Sequence, residues 1–291
     1  MTQKLLILPA ALLCLCCFSC KKEKIAIAGS GWQGIAIVDK VSGLTEWSHD
    51  LEEGDECNDI EVTPEGNVLY AYSKGAALVG RNHEKIWDYK AGENEEIHSA
   101  TRLRDGSYML GVCGQPARIV ELDKNGKQLN EIPFNTVIFN LHNQFRQVTK
   151  TDDGVYLIPL IEKRKILRVT PDGNYKRSIF TGHDMFSVKV LENGNYLVSC
   201  GYDGMIEEIK HFEDSQDSVA ITSSIKGGTL LYVGEIFLYE NGNKLVANSN
   251  MYSDDKSQPL VIEIDRNNEV VWSLPFNREI KNVTSVYSFF E

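Results

Sequence analysis

The chain has 291 residues, of which 42% are hydrophobic and 24% are charged, and its formal net charge is -11 at pH 7. This composition is typical of a globular protein with enough apolar residues for a core. A nucleic-acid groove needs clustered Lys and Arg to displace counterions from phosphates. No such cluster follows residue 24, so nucleic acid is not an expected partner.

The first residues predict a secretion signal. After Lys4 comes the apolar run LLILPAALLCLCCF, which ends at Ser19-Cys20. The run is shorter than the roughly 20 helical residues that span a bilayer, but it suits the apolar part of a signal peptide. A cysteine at this boundary resembles the lipobox of bacterial lipoproteins. The resemblance implies a signal peptide over residues 1–19, a lipidated Cys20 and a tether over residues 20–23.

Alternatives to this interpretation are a plain cleaved signal, or lipidation at Cys16 or Cys17. A lipoprotein would be anchored in the bacterial cell envelope, where several acyl chains make membrane attachment stable. The segment KKEK after Cys20 lacks the acidic stretch associated with surface export in some lipoproteins. We therefore expect a periplasm-facing protein rather than a surface-exposed one.

The remaining cysteines are three and widely spaced, so we expect buried thiols rather than disulfides or zinc ligands.

A glycine turn recurs along the rest of the chain. Five glycines, each after Glu, Asp or Asn, separate pairs of alternating runs: Gly66, Gly106, Gly154, Gly194 and Gly242. Their spacings are 40, 48, 40 and 48 residues. Asp-Gly and Asn-Gly between alternating runs predict hairpins, for which we expect type I′ turns with positive φ at both central residues. A fixed period of this length indicates one repeated supersecondary unit.

A second polar turn stands about 20 residues after several of these turns, and the segments VDKVSGLTEW, LDKNGKQL, VTPDGNYK and IDRNNEVVW contain it. Trp47, Trp87 and Trp272 fall in the strand after this turn. Each unit therefore has four strands, and four-stranded antiparallel units of this period are the blades of a β-propeller. The polar turn followed by tryptophan resembles the repeats of quinoprotein-like (PQQ-type) and arylsulfotransferase-like propellers, over most of residues 24–291.

The two ends of the repeat region complement each other. Residues 24–47 match the second, third and fourth strands of a unit, and residues 282–291 look like a lone first strand. A last strand that completes the first blade removes exposed sheet edges. We therefore predict one all-β domain over residues 24–291, a six-bladed propeller closed by its C-terminal strand. Seven blades are the alternative, because the fifth unit is long.

In propellers of this kind the first strand of each blade lines the central channel, and the loops between blades carry ligands, as the resemblance implies. The residues eight positions before the repeat glycines form a ring, to which the closing strand contributes a residue at about Thr284. The other members are Asn58, His98, Arg146, Phe186 and Gly234. Asp59 and Glu235 follow one step later, His142 and His183 precede two of the strands, and Trp32 ends a second strand. The predicted ligand-binding residues are Asn58, His98, Arg146, His142, His183, Glu235 and Trp32.

These residues predict an envelope-anchored binding or scaffolding protein, whose partner is a small molecule, a glycan or an envelope protein. No cofactor is predicted. The resemblance to quinoproteins implies an adjacent cysteine pair beneath PQQ, and the mature chain has no adjacent cysteines, so PQQ is not expected. The alternative is a small-molecule hydrolase or transferase. A lactonase-like enzyme implies a divalent ion such as calcium, for which Asn58, Asp59 and Glu235 offer oxygens. An arylsulfotransferase-like enzyme implies a histidine nucleophile, with His98 or His183 as candidates.

Overall fold

The structure, a computed structural model, describes residues 21–32, 34–136, 140–211, 218–222, 224–253 and 256–291, with backbone only at 211 and 218. The predicted signal peptide and lipidated Cys20 lie outside these residues. The described chain is almost entirely β-structure, with one 3-10 helix at Leu141–Asn143. Within the described ranges, no helix is long and apolar enough to cross a membrane.

Six four-stranded antiparallel sheets follow one another along the chain. Blade 1 contains β24 (Ser285–Phe290), β1 (Glu23–Ala28), β2 (Gly34–Asp39) and β3 (Thr45–Asp50). Blade 2 contains β4 (Cys57–Val62), β5 (Val68–Tyr72), β6 (Gly75–Val79) and β7 (Lys85–Lys90). Blade 3 contains β8 (Glu96–Arg102), β9 (Tyr108–Cys113), β10 (Ala117–Leu122) and β11 (Gln128–Phe134).

The second half of the ring repeats this order. Blade 4 contains β12 (Thr149–Lys150), β13 (Tyr156–Leu160), β14 (Lys165–Val169) and β15 (Tyr175–Phe180). Blade 5 contains β16 (Ser187–Val190), β17 (Tyr196–Cys200), β18 (Met205–His211) and β19 (Ser218–Thr222). Blade 6 contains β20 (Tyr232–Leu238), β21 (Lys244–Ser249), β22 (Val261–Ile264) and β23 (Val270–Leu274). The six-bladed propeller is therefore confirmed, and the seven-bladed alternative is wrong.

The closing strand pairs with the first described strand over its whole length. β24 and β1 are antiparallel, from Glu23 opposite Phe290 to Ala28 opposite Ser285. Ile27 and Val286 face each other in this ladder, and both are fully buried. The prediction that the C-terminal strand completes blade 1 is thus confirmed, and β1, paired with β24 and β2, is not left as an open edge.

The repeat glycines form a different turn from the one expected. In the first such turn the Gly66 amide donates to Thr63 O at 2.8 Å, and the Thr63 amide donates to Asn67 O at 2.8 Å. Gly66 has φ of +85°, whereas Glu65 is not among the residues with positive φ. This is a type I turn followed by a glycine bulge. The type I′ prediction is wrong, since only the glycine needs positive φ here.

Apolar side chains pack in six clusters, one between each pair of neighbouring blades. Tryptophans of the outer strands reinforce two of these interfaces. Trp47 Nε1 donates to Arg81 O, and Trp272 Nε1 donates to Lys40 O, both at 2.9 Å. Each bond joins an outer strand to a turn in the next blade. The core therefore lies between the sheets, and the centre of the ring is left to polar residues.

Candidate functional site

Each end of the central channel presents a different set of side chains. We call the end where the inner strands begin the loop face, because the connections between blades lie there. We call the opposite end the turn face, because the inner strands end there at the repeat glycine turns. On β4, Asn58 lies toward the loop face and Glu61 toward the turn face.

A small cavity of about 70 Å³ opens on the loop face. Four members of the predicted ring line it, namely Asn58, Arg146, Phe186 and Thr284. Gly234, the fifth, approaches the closing strand so closely that an added Cβ would lie 2.2 Å from Thr284 O. A side chain at this position would therefore displace the closing strand. The alignment on the glycines thus identified most of the cavity wall.

His98 lies directly behind this wall and is fully buried. Its Nδ1 is 3.0 Å from the Asn58 amide nitrogen, and its Nε2 is 2.8 Å from Glu96 Oε2. The same Glu96 oxygen is 2.9 Å from Nδ1 of His142, which lies on the 3-10 helix. The Asn140 side chain caps that helix by accepting from the His142 amide at 3.0 Å. Two predicted histidines are thus joined through one carboxylate.

The surroundings of His98 and Glu96 fix the protonation of these two groups. Burial, together with the nearby Arg146 guanidinium, lowers the pKa of His98 to about 3, so the imidazole is neutral at pH 7. Hydrogen bonds from His142 and His98 hold the pKa of Glu96 well below its usual range, so this carboxylate is ionised. The neutral His98 therefore has one ring nitrogen that donates and one that accepts.

An aromatic group borders the same cavity. The rings of Tyr202, Tyr232 and Tyr252 pack against one another with centroids 5.0 to 5.5 Å apart. The Tyr202 and Tyr252 hydroxyls are 3.1 Å apart. Tyr232 is buried, but Tyr202 and Tyr252 are 51% and 61% exposed. Two aromatic rings therefore face solvent beside the buried Arg146 and the half-buried His142.

Two of the other predicted residues lie outside the loop-face cavity. His183 Nδ1 is 2.7 Å from Asp203 Oδ2 in the connection before blade 5. Trp32 packs against the apolar cluster between blades 6 and 1, and its Nε1 donates to Asn282 O at 2.9 Å. Neither residue lines the cavity.

The turn face has a much larger cavity of about 870 Å³, and Glu235 and Asp59 line it. Glu235 forms an ion pair with Lys189 at 2.9 Å and accepts from Ser285 Oγ at 2.6 Å. Asp59 accepts from the Gln147 side chain at 2.8 Å and from the Ala100 amide at 2.9 Å. These carboxylates join inner strands of different blades across the channel.

The oxygen set considered for calcium is divided between the two faces. A register shift between Cys57 and Asp59 in β4 buries Asn58 and Asp59 together despite their adjacency. Asn58 contacts His98 on the loop face, whereas Asp59 and Glu235 lie on the turn face. The structure does not bring these three side chains into one group.

Sequence reasoning missed several residues of the loop face. Glu96 stands two positions before His98, and alternation along a strand places both on one side. Glu56 has the same relation to Asn58 and also lines the cavity. These two carboxylates could have been found from spacing alone. Tyr232 and Tyr252 belong to blade 6, where the long preceding connection hides the period.

The fold is shared with enzymes of known and assigned activity. A putative gluconolactonase superposes with a TM-score of 0.60 at 10% identity, covering 89% of this chain and 86% of that one. A catalytically inactive virginiamycin B lyase from Staphylococcus aureus, solved with quinupristin, gives a TM-score of 0.59 at 10% identity, with coverage of 93% and 92%. At this identity the likeness shows the propeller fold alone.

A protein of unknown function from Bacteroides caccae is far more similar. Its crystal structure gives a TM-score of 0.87 at 30% identity, and the alignment covers 93% of this chain and all of that one. No curated protein matches the sequence. The predicted likeness to PQQ-type repeats stays a prediction. The model of one family, described as Mal s 1 allergenic protein-like, matches residues 28–267. The chain therefore belongs to the Mal s 1 allergenic protein-like family.

Proposed function

We propose that the protein is a saccharide-binding propeller whose ligand lies on the loop face, against Tyr202 and Tyr252. The observation that carries this proposal is a pair of exposed, mutually packed tyrosine rings beside a polar cavity. Sugar rings have apolar faces that stack on aromatic side chains, whose hydroxyls remain available for hydrogen bonds. The tyrosine pair offers both kinds of contact.

The polar groups around the cavity suit a ligand with many hydroxyls. Arg146 supplies only donors, Glu56 supplies only acceptors, and Asn58 and His142 supply both. A sugar hydroxyl donates and accepts at once, so this mixture favours a hydroxyl-rich ligand over a strongly charged one. The cavity of about 70 Å³ is well below the 300 Å³ or more of a typical ligand pocket. It therefore admits one ligand group, while the rest of the ligand stacks on the tyrosines outside.

The test is a screen of the purified protein against a panel of immobilised oligosaccharides, followed by calorimetry with each hit. Tyr202→Ala with Tyr252→Ala should weaken binding about tenfold or more, because stacked aromatic contacts contribute about 0.5–1.5 kcal/mol each. Tyr175→Ala is the matched control, since Tyr175 is 52% exposed on the outer strand of blade 4. No hit in the panel, or equal affinity in the double variant and the control, would contradict the proposal.

A small-molecule hydrolase or transferase is the second candidate function. It is favoured by the pairing of His142 with Glu96 beside the cavity, which places a general base near any ligand there. His98 is a poor nucleophile as it lies, because both ring nitrogens have partners and the side chain is buried. Release of product from any saccharide or lactone that binds, abolished by His142→Ala, would establish this activity.

We also propose that Cys20 is acylated and that the anchored propeller faces the periplasm. This rests on the lipobox-like boundary at Ser19-Cys20. Metabolic labelling with a radioactive fatty acid in a bacterial host should mark the wild-type chain and not the Cys20→Ala variant. Protease added to intact cells should leave the protein uncut if it faces the periplasm.

A further inference from the structure

We infer that Glu96, His98 and His142 form a binding site for a divalent transition metal of the zinc type on the loop face. One donor atom from each side chain lies within 4.8 Å of the others. Glu96 Oε2 is at the centre, 2.8 Å from His98 Nε2 and 2.9 Å from His142 Nδ1. The metal site does not depend on the saccharide proposal, since these three residues are assembled without the tyrosines.

The kind of ligand selects the kind of metal. Two imidazole nitrogens and one carboxylate are ligands that zinc and its neighbours in the first transition row favour. Calcium and magnesium take oxygen ligands almost exclusively. Zinc lies about 2.0–2.2 Å from such ligands, which places tetrahedral ligand atoms roughly 3.3–3.5 Å apart. The two distances from Glu96 Oε2 to the histidine nitrogens would therefore lengthen by about half an ångström for a metal to replace the hydrogen bonds. The two histidine nitrogens, which lie within 4.8 Å of each other, would have to reach the same separation.

Both histidines have partners that would hold them in the metal-binding tautomer. With metal on His98 Nε2, the proton moves to Nδ1 and is donated to the Asn58 side chain, which lies 3.0 Å away. A rotation of the Asn58 side-chain amide by 180° exchanges its nitrogen and oxygen, so that the oxygen faces His98 and accepts this proton. With metal on His142 Nδ1, the proton lies on Nε2. Glu56 Oε1 is 3.9 Å from this nitrogen, beyond hydrogen-bond distance, so the Glu56 side chain has to move closer to accept the proton. Such outer partners orient metal-bound histidines.

Charge and access also suit a cation. Glu56 and Glu96 oppose the single positive charge of Arg146, whose guanidinium already donates to the carbonyls of His142 and Phe145. His142 and Glu56 line the loop-face cavity, so a metal ion could enter from solvent. The three protein ligands would leave a further coordination position, and one of them, His142, borders this cavity. That is the arrangement of an open zinc site rather than a closed structural one.

The test is calorimetric titration of chelator-treated protein with zinc chloride, with visible absorption of the cobalt(II) form as a second readout. Wild type should bind one equivalent of zinc, and the cobalt form should give the intense bands of a four- or five-coordinate nitrogen and oxygen site. His142→Ala should lose this equivalent and the bands. Glu56→Gln should retain the site with about 10–100-fold weaker affinity, because it removes an orienting partner only. Calcium chloride should not compete.

A histidine pair elsewhere provides the control. His49 and His83 face each other on the outside of blades 1 and 2, with Nδ1 atoms 3.2 Å apart. Metal bound there would survive His142→Ala and disappear in His49→Ala with His83→Ala. That outcome, or no stoichiometric zinc binding by the wild type, overturns the inference. His142 is half-exposed on a short helix, and an unchanged melting temperature would verify that its variant folds. Zinc binding with no saccharide hit would refute only the proposed function.

Discussion

The two faces of the propeller use polar side chains for different purposes. On the turn face the cavity is about twelve times larger, yet the carboxyl groups of Asp59, Glu61 and Glu235 already bond to neighbouring inner strands. Glu235 accepts from the closing strand, and Glu61 accepts from the Thr101 hydroxyl and the Arg102 amide. On the loop face Tyr202 and Tyr252 bond chiefly to each other and face solvent. The proposed site therefore rests on the exposure of these two rings and not on cavity volume.

The largest effect is expected from removing residues 282–291, which deletes β24 and the contacts that Glu235 makes with it. The loss opens the edge of β1 along six residues and uncovers the cluster between blades 6 and 1. We expect cooperative unfolding to disappear in thermal scans by circular dichroism. Removal of Glu291 alone, an exposed residue, should change the melting curve little. An unchanged curve for the longer truncation would refute closure by this strand.

Glu235→Ala should be the most damaging single change on the turn face. It leaves the Lys189 ammonium without its partner in the channel and frees the Ser285 hydroxyl. Breaking a buried ion pair costs about 3–5 kcal/mol, and we expect about 3 kcal/mol because Lys189 reaches the cavity. Urea denaturation measures this loss. Arg104→Ala, which breaks an exposed ion pair with Asp152 on the same cavity, should cost less than about 1 kcal/mol.

A pH series should detect the raised pKa of Asp59, whose effect on stability should be smaller than that of Glu235→Ala. Burial, and then the charge of Glu235, raise the pKa of Asp59 well above its usual value. The folded protein therefore holds this proton at pH values where the unfolded chain has lost it, so the contribution of Asp59 to stability falls as pH rises. From pH 5 to pH 8, the melting temperature of the wild type should fall relative to that of Asp59→Asn. Leu129→Ala, at an exposed residue without an ionisable group, should show no such trend.

The smallest effect on stability is expected on the loop face. Tyr252 is 61% exposed, so Tyr252→Ala should cost about 1 kcal/mol or less in urea denaturation. A loss as large as that of Glu235→Ala would show that the tyrosines hold the ring together, which would remove the contrast between the faces. If Tyr252→Ala loses little stability but much saccharide affinity, the contrast between the two faces becomes sharper.

The sequence predicted the ring more fully than the site. Glycine spacing and the complementary ends were enough for six blades, because each blade repeats the same turn and the same pattern of buried residues. The turn type was mispredicted, since Asp-Gly and Asn-Gly fit both a type I′ turn and a type I turn with a glycine bulge. The hydrogen bonds and the φ angles around Gly66 distinguish the two.

The site was predicted in part for a physical reason. Asn58, His98 and Arg146 occupy equivalent positions in blades 2, 3 and 4, so the period reached them. Glu235 was assigned to the loop face by the same alignment, but it stands one residue beyond the aligned position, where the side chain projects from the opposite face of the strand, and it lines the turn-face cavity. The pairing of Tyr202 with Tyr252 joins blades 5 and 6 through irregular connections, and no repeat encodes such a contact.

At the turn-face end of the ladder between β1 and β24, Glu291 lies beside Lys22. The Lys22 amide donates to Glu291 O at 2.7 Å, and the Glu291 amide donates to Lys22 O at 3.0 Å. A short linker could therefore join these two positions, and the chain could be reopened at an exposed turn such as the one at Gly106. A circular permutant of this kind would keep all six blades, and a reporter fused after Glu291 would sit next to the segment that leads into the propeller.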